Sequence, residues 1–207
     1  ATPSAGPGVS WWMIDELKFD PPFFSKLSLI GSVLTLAGMF MFRRFMAERP
    51  MWQVIVFLTI AGTLLSLPIL GMAMGLHHWT ASVTGGVVDA RFIALIDTAL
   101  ESPLGQISMI PMLAWIANSA PQHLKATYFA VMASFTNLAL SASSLGTKYL
   151  NQGFVIERTA KDPQTLQIVA QANYSDLVPL LTWAMVLGLL LPLAGILLAR
   201  ALGWRST

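Results

Sequence analysis

The sequence predicts an all-α membrane protein, a six-transmembrane-helix bundle forming a single transmembrane domain over residues 1–207. Only 11% of the 207 residues are charged and 55% are hydrophobic, whereas a soluble domain carries about 25% charged residues. The mean hydropathy is +0.65. Several uncharged windows reach the roughly 20 residues that cross a hydrocarbon core about 30 Å thick. The uncharged windows are residues 27–42, 51–76, 102–122, 126–147 and 177–199.

The same composition excludes several classes of protein. Because the chain has no Cys, a secreted disulfide scaffold is excluded. A formal net charge of +2 is too small to indicate a nucleic-acid partner. No motif of a P-loop, a dinucleotide fold, a zinc protease or a serine hydrolase occurs in the sequence. We therefore expect no enzymatic activity, no catalytic residue, no cofactor and no metal site.

We predict six helices that cross the membrane, at residues 2–17, 24–46, 51–76, 91–118, 124–150 and 176–201. The longer extramembrane loop is residues 151–175. The first helix is interrupted by Pro3, Gly6, Pro7 and Gly8. Such breaks survive in lipid only where other helices or a water-filled cavity satisfy the freed backbone groups, so this segment is predicted to face protein or a lumen. The chain begins without Met inside this segment, and we expect it to be part of a longer protein.

The order of the helices fixes which connections share a side of the membrane. Residues 42–50 (FRRFMAERP), residues 118–125 and the tail at 200–205 fall on one side by alternation. Lys and Arg are tied at six on each side, so the total count does not orient the chain. Short basic loops carry the most weight in the positive-inside rule, and residues 42–50 are therefore predicted to be cytoplasmic.

Two carboxylates fall inside the fourth predicted helix. Asp97 and Glu101 are four residues apart, so they lie on one helical face about one turn apart. A carboxylate in a bilayer costs about 2.5–3.5 kcal/mol on insertion scales and usually faces an aqueous cavity or a partner. The pair is therefore predicted to bind a proton or a cation. The alternative is that the helix begins near Leu100 and that both acids lie among the lipid headgroups.

A polar stripe follows one face of the fifth predicted helix: Thr127, Ser134, Asn137, Ser141, Ser144 and Lys148. Small polar residues either allow close helix packing or line a solute path, and both interpretations stand for the serines. Asn137 is assigned to a path because a mid-helix amide has both donors and an acceptor to satisfy.

Two other patterns indicate packing and helix breaks. Small residues recur on one face of the second predicted helix, which is predicted to pack against another helix: Ser28, Gly31, Ser32, Thr35 and Gly38. Pro68, Pro103 and Pro111 are predicted to kink the third and fourth helices.

The stretch from Pro121, PQHLKATYFAVMASFTNLALSASSLG, resembles a segment of the folate-biopterin transporter family, also called the BT1 family. That segment reads approximately P-x-G-x-E-x-T-x-F-A-x-x-x-S-x-x-N-L-G-x-x-x-S-S-x-x-G. The matching positions are Pro121, Thr127, Phe129, Ala130, Ser134, Asn137, Leu138, Ser143, Ser144 and Gly146. Residues 16–27 (ELKFDPPFFSKL) resemble the start of the family's eighth helix, and Asp97, Glu101 and Pro111 match acidic and proline positions of its tenth.

The resemblance implies the major facilitator fold, with twelve helices in two six-helix halves, of which this chain is similar to the C-terminal half. The six helices would then be helices seven to twelve, and residues 42–50 a cytoplasmic connection. His123 and Lys125 stand where the family has Gly and Glu.

We therefore expect half of a secondary active transporter that moves a small organic solute, folate or a pterin, by proton symport. Asp97, Glu101, Asn137, Ser134 and Ser141 are assigned to substrate or proton binding, and Pro111, Pro121 and Thr127 to gating or packing. The expected location is a bacterial inner membrane, or an intracytoplasmic or thylakoid membrane. The expected partners are the lipid bilayer, the solute, and a missing N-terminal six-helix half or another membrane subunit.

Two alternatives remain open. The chain could be a transporter-derived structural or accessory subunit, docked in a larger membrane complex and without transport activity; its half length and Lys125 motivate this. It could also work as a homodimer in which each copy supplies one half.

Overall fold

The computed structural model describes residues 2–104, 122–161 and 168–202. The α-helices of these residues are α1 (Gly8–Asp15), α2 (Pro21–Glu48), α3 (Met51–Leu65), α4 (Leu67–Ala73), α5 (Leu76–Val83), α6 (Ala90–Glu101), α7 (Lys125–Gln152) and α8 (Leu177–Ala201). Single 3₁₀ turns cover Ser102–Leu104 and Gln122–Leu124, and two short strands are β1 (Ala160–Lys161) and β2 (Ile168–Ala170).

Four segments of the described residues are long and apolar enough to cross a membrane: Pro21–Phe45, Met51–Ala73, Lys125–Gln152 and Leu177–Ala201. They correspond to the second, third, fifth and sixth predicted helices. The structure therefore confirms an α-helical membrane protein, although the described part does not contain the predicted six crossings.

The first and fourth predicted helices account for the difference. The crossing predicted at 2–17 is an eight-residue helix, α1, which at 1.5 Å per residue is far too short to cross alone. Proline lacks the N–H of a helical hydrogen bond, and Pro3 and Pro7 keep the residues before α1 out of the helix. In the fourth, α6 ends at Glu101 and a 3₁₀ turn follows. The remainder of that predicted helix, residues 105–118, lies outside the described residues.

The third crossing is broken where Pro68 was predicted to kink it. The helix α3 stops before Ser66, and α4 restarts with Pro68 in its first turn, the position where a missing N–H costs nothing. The hydroxyl of Ser66 donates to the carbonyl of Thr63 at 2.9 Å and so satisfies one group at the break.

Part of the small-residue face of α2 is a packing seam, formed by Gly31, Thr35 and Gly38, whereas Ser28 and Ser32 of the predicted face are exposed. A Cβ on Gly38 would lie 2.6 Å from the Cα of Pro103, and one on Gly31 would lie 3.0 Å from the hydroxyl oxygen of Ser102. The hydroxyl of Thr35 donates to the carbonyl of Ser102 at 2.9 Å. Glycine therefore lets the backbone of α2 touch the turn that ends α6, and this contact fixes the height of Glu101 in the bundle.

Contacts at the helix ends divide the bundle into a basic end and a loop end. At the basic end, which holds residues 43–52 and 200–202, the guanidinium of Arg200 lies 4.1 Å from the centre of the Trp52 ring. This confirms that the 42–50 connection and the end of the last helix share a side. At the loop end, which holds residues 15–20, 89–91, 151–161 and 168–176, Arg91 pairs with Asp20 at 3.7 Å.

The buried core is concentrated at the loop end. Its buried residues come from α1, α4, α6, the start of α8 and the turn after α1: Trp12, Met13, Phe19, Met72, Ile93, Ala94 and Leu177. Towards the basic end, a smaller cluster surrounds the fully buried Val54. The loop end is therefore the more tightly packed of the two.

The 151–175 loop is the exception to the predicted all-α class. Strands β1 and β2 pair antiparallel, and Glu157 and Asn173 exchange backbone hydrogen bonds of 2.8 and 2.9 Å. The residues between the strands, 162–167, lie outside the described residues. The loop thus carries a small β-ribbon, while the membrane-crossing segments are helical.

Candidate functional site

A cavity of about 390 Å³ lies between the middle of the bundle and the loop end. Its walls are the second half of α3, the break before α4, the first half of α8, the end of α6 and the non-helical segment at residues 3–5. Ile69 and Leu181 line it and also pack against the buried core. The core therefore forms the floor of the cavity on the loop-end side.

The lining places one charged group among hydroxyls and apolar walls. Glu101 is the charged residue of the described lining, and Ser4, Thr59, Thr63 and Ser66 supply hydroxyls. The rest is apolar, including Met185 of α8. Small-molecule sites typically combine such apolar walls with a few placed polar groups in about 300–1,000 Å³. The arrangement suits a small organic solute with an apolar body and a cationic or hydrogen-bond-donating group.

Asp97 lies one turn before Glu101 and is buried in the packing of α6. Its exposed fraction is 7%, and its Oδ1 has no hydrogen-bond partner among the described residues. An unpartnered carboxylate oxygen within a membrane bundle is costly, so it calls for a proton or a cationic partner. Asp97 therefore faces protein, and the depth of the two acids in the membrane stays a prediction.

Local structure explains how α6 presents these acids. The side chain of Asp89 caps the start of the helix by accepting from the amide of Phe92 at 2.8 Å, a common way to satisfy a free N–H of the first turn. The helix packs against α2, α3 and α4. From this fixed start, Ile93, Ala94 and Asp97 form the buried face, and Glu101 reaches the cavity at the far end.

The polar stripe of α7 lies elsewhere. Ser134, Asn137, Ser141 and Thr127 are all exposed, and the hydroxyl of Ser134 donates to the carbonyl of Ala130 in its own helix at 3.0 Å. None of these side chains lines the cavity within the part of the chain that the structure describes. The structure therefore brings Asp97 and Glu101 together, and it leaves the stripe on an outer surface of α7.

Another face of α7 holds the non-helical start of the chain. The hydroxyl of Ser143 donates to the carbonyl of Thr2 at 2.5 Å, and that of Thr147 accepts from the amide of Ser4 at 2.9 Å. Residues 3–5 contact α7 and also line the cavity. This fits the prediction that the broken first segment faces protein or a lumen. Of the assigned gating positions, Pro111 and Pro121 lie outside the described residues.

Sequence reasoning missed the hydroxyls of the cavity. Thr59, Thr63 and Ser66 are spaced by four and three residues, which places them on one face of a helix. That spacing is a signal in the sequence, but it lies inside a strongly hydrophobic window, which by itself predicts a crossing and no site.

A charged cluster at the loop end was also not predicted from the sequence. Arg158 donates to Asp15 through Nε at 3.1 Å and Nη2 at 2.9 Å, and the Tyr174 hydroxyl donates to the same carboxylate at 2.5 Å. The hydrogen bond from Arg158 lowers the pKa of Asp15. Burial and the bond to Asp15 raise the pKa of Tyr174 above its ordinary value. The three residues are far apart in sequence, so no local pattern announces them.

A sequence model of the BT1 family matches residues 3–203, nearly the whole chain. The chain belongs to the BT1 family. This BT1-family chain is also 29% identical, over 180 residues, to a folate-biopterin transporter of Synechocystis sp.. The match covers 87% of the chain and 35% of the relative, so the chain spans about a third of the relative's length. No solved structure matches the chain.

These comparisons confirm the family resemblance on which the sequence prediction rested. The relative is named as a transporter and not as an enzyme, which agrees with the expectation that the BT1-family chain catalyses no reaction.

Proposed function

We propose that the BT1-family chain is part of a secondary active transporter and that a small organic solute binds in the cavity beside Glu101. The observation that carries the proposal is the acidic pair of α6. Glu101 lines the cavity, and Asp97, one turn away, is buried with an unpartnered oxygen. A membrane protein rarely retains such groups without a function in binding or proton movement.

The solute is proposed to be a folate or a pterin. The relative is named for this class, and a pterin offers amino groups to Glu101 while its flat ring lies against the apolar walls. Glu101 would bind the amino group, and the cavity hydroxyls would bind the polar edge of the ring.

Proton symport is the proposed coupling. A proton on Asp97 would remove the charge from its buried carboxylate, and Glu101 would alternate between the proton and the solute. Because the two acids are one helical turn apart, occupancy of one by a positive charge changes the free energy of charging the other.

The polar stripe of α7 is proposed to face a second polypeptide unit. An exposed side-chain amide is unfavourable against lipid tails, so Asn137 favours a partner surface, whereas the Ser134 hydroxyl beside it is satisfied within its own helix. The chain spans 35% of its relative, and we propose that an N-terminal six-helix half of a major facilitator fold covers the stripe. The solute path would then run between Asn137 and that half, with Pro111, Pro121 and Thr127 contributing to gating or packing.

The proposed location is a bacterial inner, intracytoplasmic or thylakoid membrane, with the basic end in the cytoplasm. At that end Arg44 pairs with Glu48, and Arg43 and Arg49 have no acidic partner within the described residues. At the loop end, Arg91 and Arg158 are paired with acids. Short basic connections next to helices favour the cytoplasmic side.

The test is uptake of labelled folate and of labelled pterin by the full-length protein in vesicles, with an imposed pH gradient. The double variant Asp97→Asn with Glu101→Gln should lose uptake, whereas Glu157→Gln, an exposed acid of the loop, serves as the matched control and should keep it. If the double variant transports at the parent's rate and with the parent's pH dependence, the assigned role is wrong. Absence of uptake together with a stoichiometric membrane complex would favour the accessory-subunit alternative.

A further inference from the structure

The non-helical start of the chain is a wall of the cavity. Pro3, Ser4 and Ala5 line it directly opposite α3 and α8. Within residues 2–7 the backbone makes no helical turn, so this wall depends on contacts with other elements to hold its shape.

The first set of contacts attaches the wall to α7. Besides the hydrogen bonds of Ser143 and Thr147 described above, Pro3 packs on Gly146, where an added Cβ would lie 3.0 Å from the proline ring. At Gly6, which has a φ of +66°, an added Cβ would lie 3.1 Å from the Asn151 amide nitrogen. These contacts are hydrogen bonds and van der Waals contacts between uncharged groups.

The second set of contacts attaches the far end of α1 to the loop. Asp15, the last residue of α1, accepts two hydrogen bonds from Arg158 and one from Tyr174. Its side chain is 14% exposed, whereas that of Arg158 is 45% exposed and stays in contact with water. A bidentate, charge-assisted pair is among the strongest polar contacts in proteins, and this one joins α1 to the β-ribbon.

Between its two attachments, α1 carries Trp12 and Met13 into the core that floors the cavity. A Cβ on Gly8 would lie 2.9 Å from the Ile156 side chain of the loop, so α1 is also covered from outside. If α1 moved away from the core, the core would lose the contacts of the Trp12 ring and of the Met13 side chain, which separate the cavity from the loop-end surface.

We propose that Asp15 is a positioning residue which, through Arg158 and Tyr174, holds α1 and residues 2–7 as the cover of the cavity at the loop end, so that loss of these contacts opens the cavity to that side. The inference rests on the proposed function, because a cover matters only if the cavity receives a solute. Its test does not require the solute to be known.

The experiment measures access to the cavity with a single introduced thiol. The chain has no Cys, and Ser66→Cys places one in the cavity lining opposite residues 3–5. The full-length protein with Ser66→Cys is placed in vesicles, and a membrane-impermeant thiol reagent is added on the loop-end side. The full-length protein without this substitution gives the background labelling.

The expected result is a labelling rate about tenfold higher when Asp15→Asn or Arg158→Gln is added. Tyr174→Phe, which removes one hydrogen bond and keeps the ring, should give a smaller increase. Exchanging the partners, Asp15→Arg with Arg158→Asp, should lower the rate again. The matched control is Arg91→Gln, which breaks the other loop-end ion pair, at 3.7 Å, and should leave the rate near the parent value.

Rates within twofold of the parent for both Asp15→Asn and Arg158→Gln would overturn the inference, as would an equal increase for Arg91→Gln. If either variant fails to fold, as judged by size-exclusion chromatography, the comparison of Tyr174→Phe with Arg91→Gln decides. If the parent takes up no solute but the labelling rates follow the expected pattern, the proposed function is contradicted and the inference about the cover still stands.

Discussion

Helices α6 and α7 both carry polar residues at helical spacing, and the fold treats them in opposite ways. In α6, Asp97 is buried in the bundle and 7% exposed, whereas Glu101 is exposed and lines a cavity. The stripe of α7 stays on the outside with Asn137 exposed. Within the described residues, the chain packs around Asp97 and forms the cavity at Glu101, whereas the polar stripe of α7 does not line that cavity. Two helices with the same spacing of polar residues can therefore differ in whether those residues line a cavity.

The first prediction, which has the largest expected effect, concerns displacement of α6. In Gly38→Ala the added methyl group overlaps the backbone of Pro103, so α2 and the end of α6 must separate. Overpacking of this kind costs about 1–3 kcal/mol, and movement of Glu101 should abolish uptake. Thermal unfolding and uptake of the full-length protein measure the two effects.

Gly195→Ala is the control for that substitution. Nothing lies within 4 Å of a Cβ at Gly195, and replacing a mid-helix glycine with alanine is favourable by up to about 1 kcal/mol. Equal melting temperatures of the two variants would contradict the seam between α2 and α6.

The second prediction tests α7 itself. Asn137→Leu should lower uptake by the full-length protein about tenfold, the loss of roughly one good hydrogen bond in the path. In the 207-residue chain alone the same change should leave the melting temperature within about 1 °C, because surface substitutions usually change stability by less than about 0.5 kcal/mol. A large destabilisation of the chain alone would mean that Asn137 packs within the chain and does not face a partner.

The third and smallest effect concerns pH at the loop end. Asp15 faces Arg158, Tyr174 and Lys18, and its folded-state pKa is lowered below the ordinary 3.8, chiefly by the hydrogen bond from Arg158. The stability it contributes is therefore fully present above the ordinary pKa and is lost as the pH falls through the lowered one. At pH 7, Asp15→Asn should melt lower than the parent by roughly 3 °C.

The difference between Asp15→Asn and the parent should then shrink as the pH drops below about 4, where the parent's carboxyl also takes up a proton. Melting curves of the two proteins from pH 7 to pH 3 measure it. A difference that stays constant over this range would show that the charge of Asp15 does not stabilise the loop end.

Much of the architecture could be predicted from hydrophobicity, because long apolar windows have few alternatives to a membrane-crossing helix. The second, fifth and sixth helices agree with the prediction within a few residues, and the third differs by the break at Ser66. The first was predicted as a crossing despite its interruptions at Pro3 and Pro7, and the helix that remains has only eight residues. The packing role of Gly31 and Gly38 was predictable, since small residues on one face have few other uses.

The sequence predicts only those site residues whose side chains are unfavourable in lipid. Asp97 and Glu101 could be found from sequence because carboxylates are rare in apolar helices. The hydroxyls at Thr59, Thr63 and Ser66 could not, since such residues are ordinary in membrane helices and only the fold shows that they line a cavity. The cluster of Asp15, Arg158 and Tyr174 depends on contacts across more than 140 residues, which no local pattern specifies.

The most direct test of the account's central claim, that α6 carries the coupling acids, is proton-driven accumulation by full-length protein with Asp97→Asn. Vesicles preloaded with labelled solute separate the two steps, because exchange against external solute requires binding but no net proton movement. The account predicts that Asp97→Asn keeps exchange and loses accumulation under a pH gradient. Accumulation at the parent's level, with the parent's pH dependence, would contradict it.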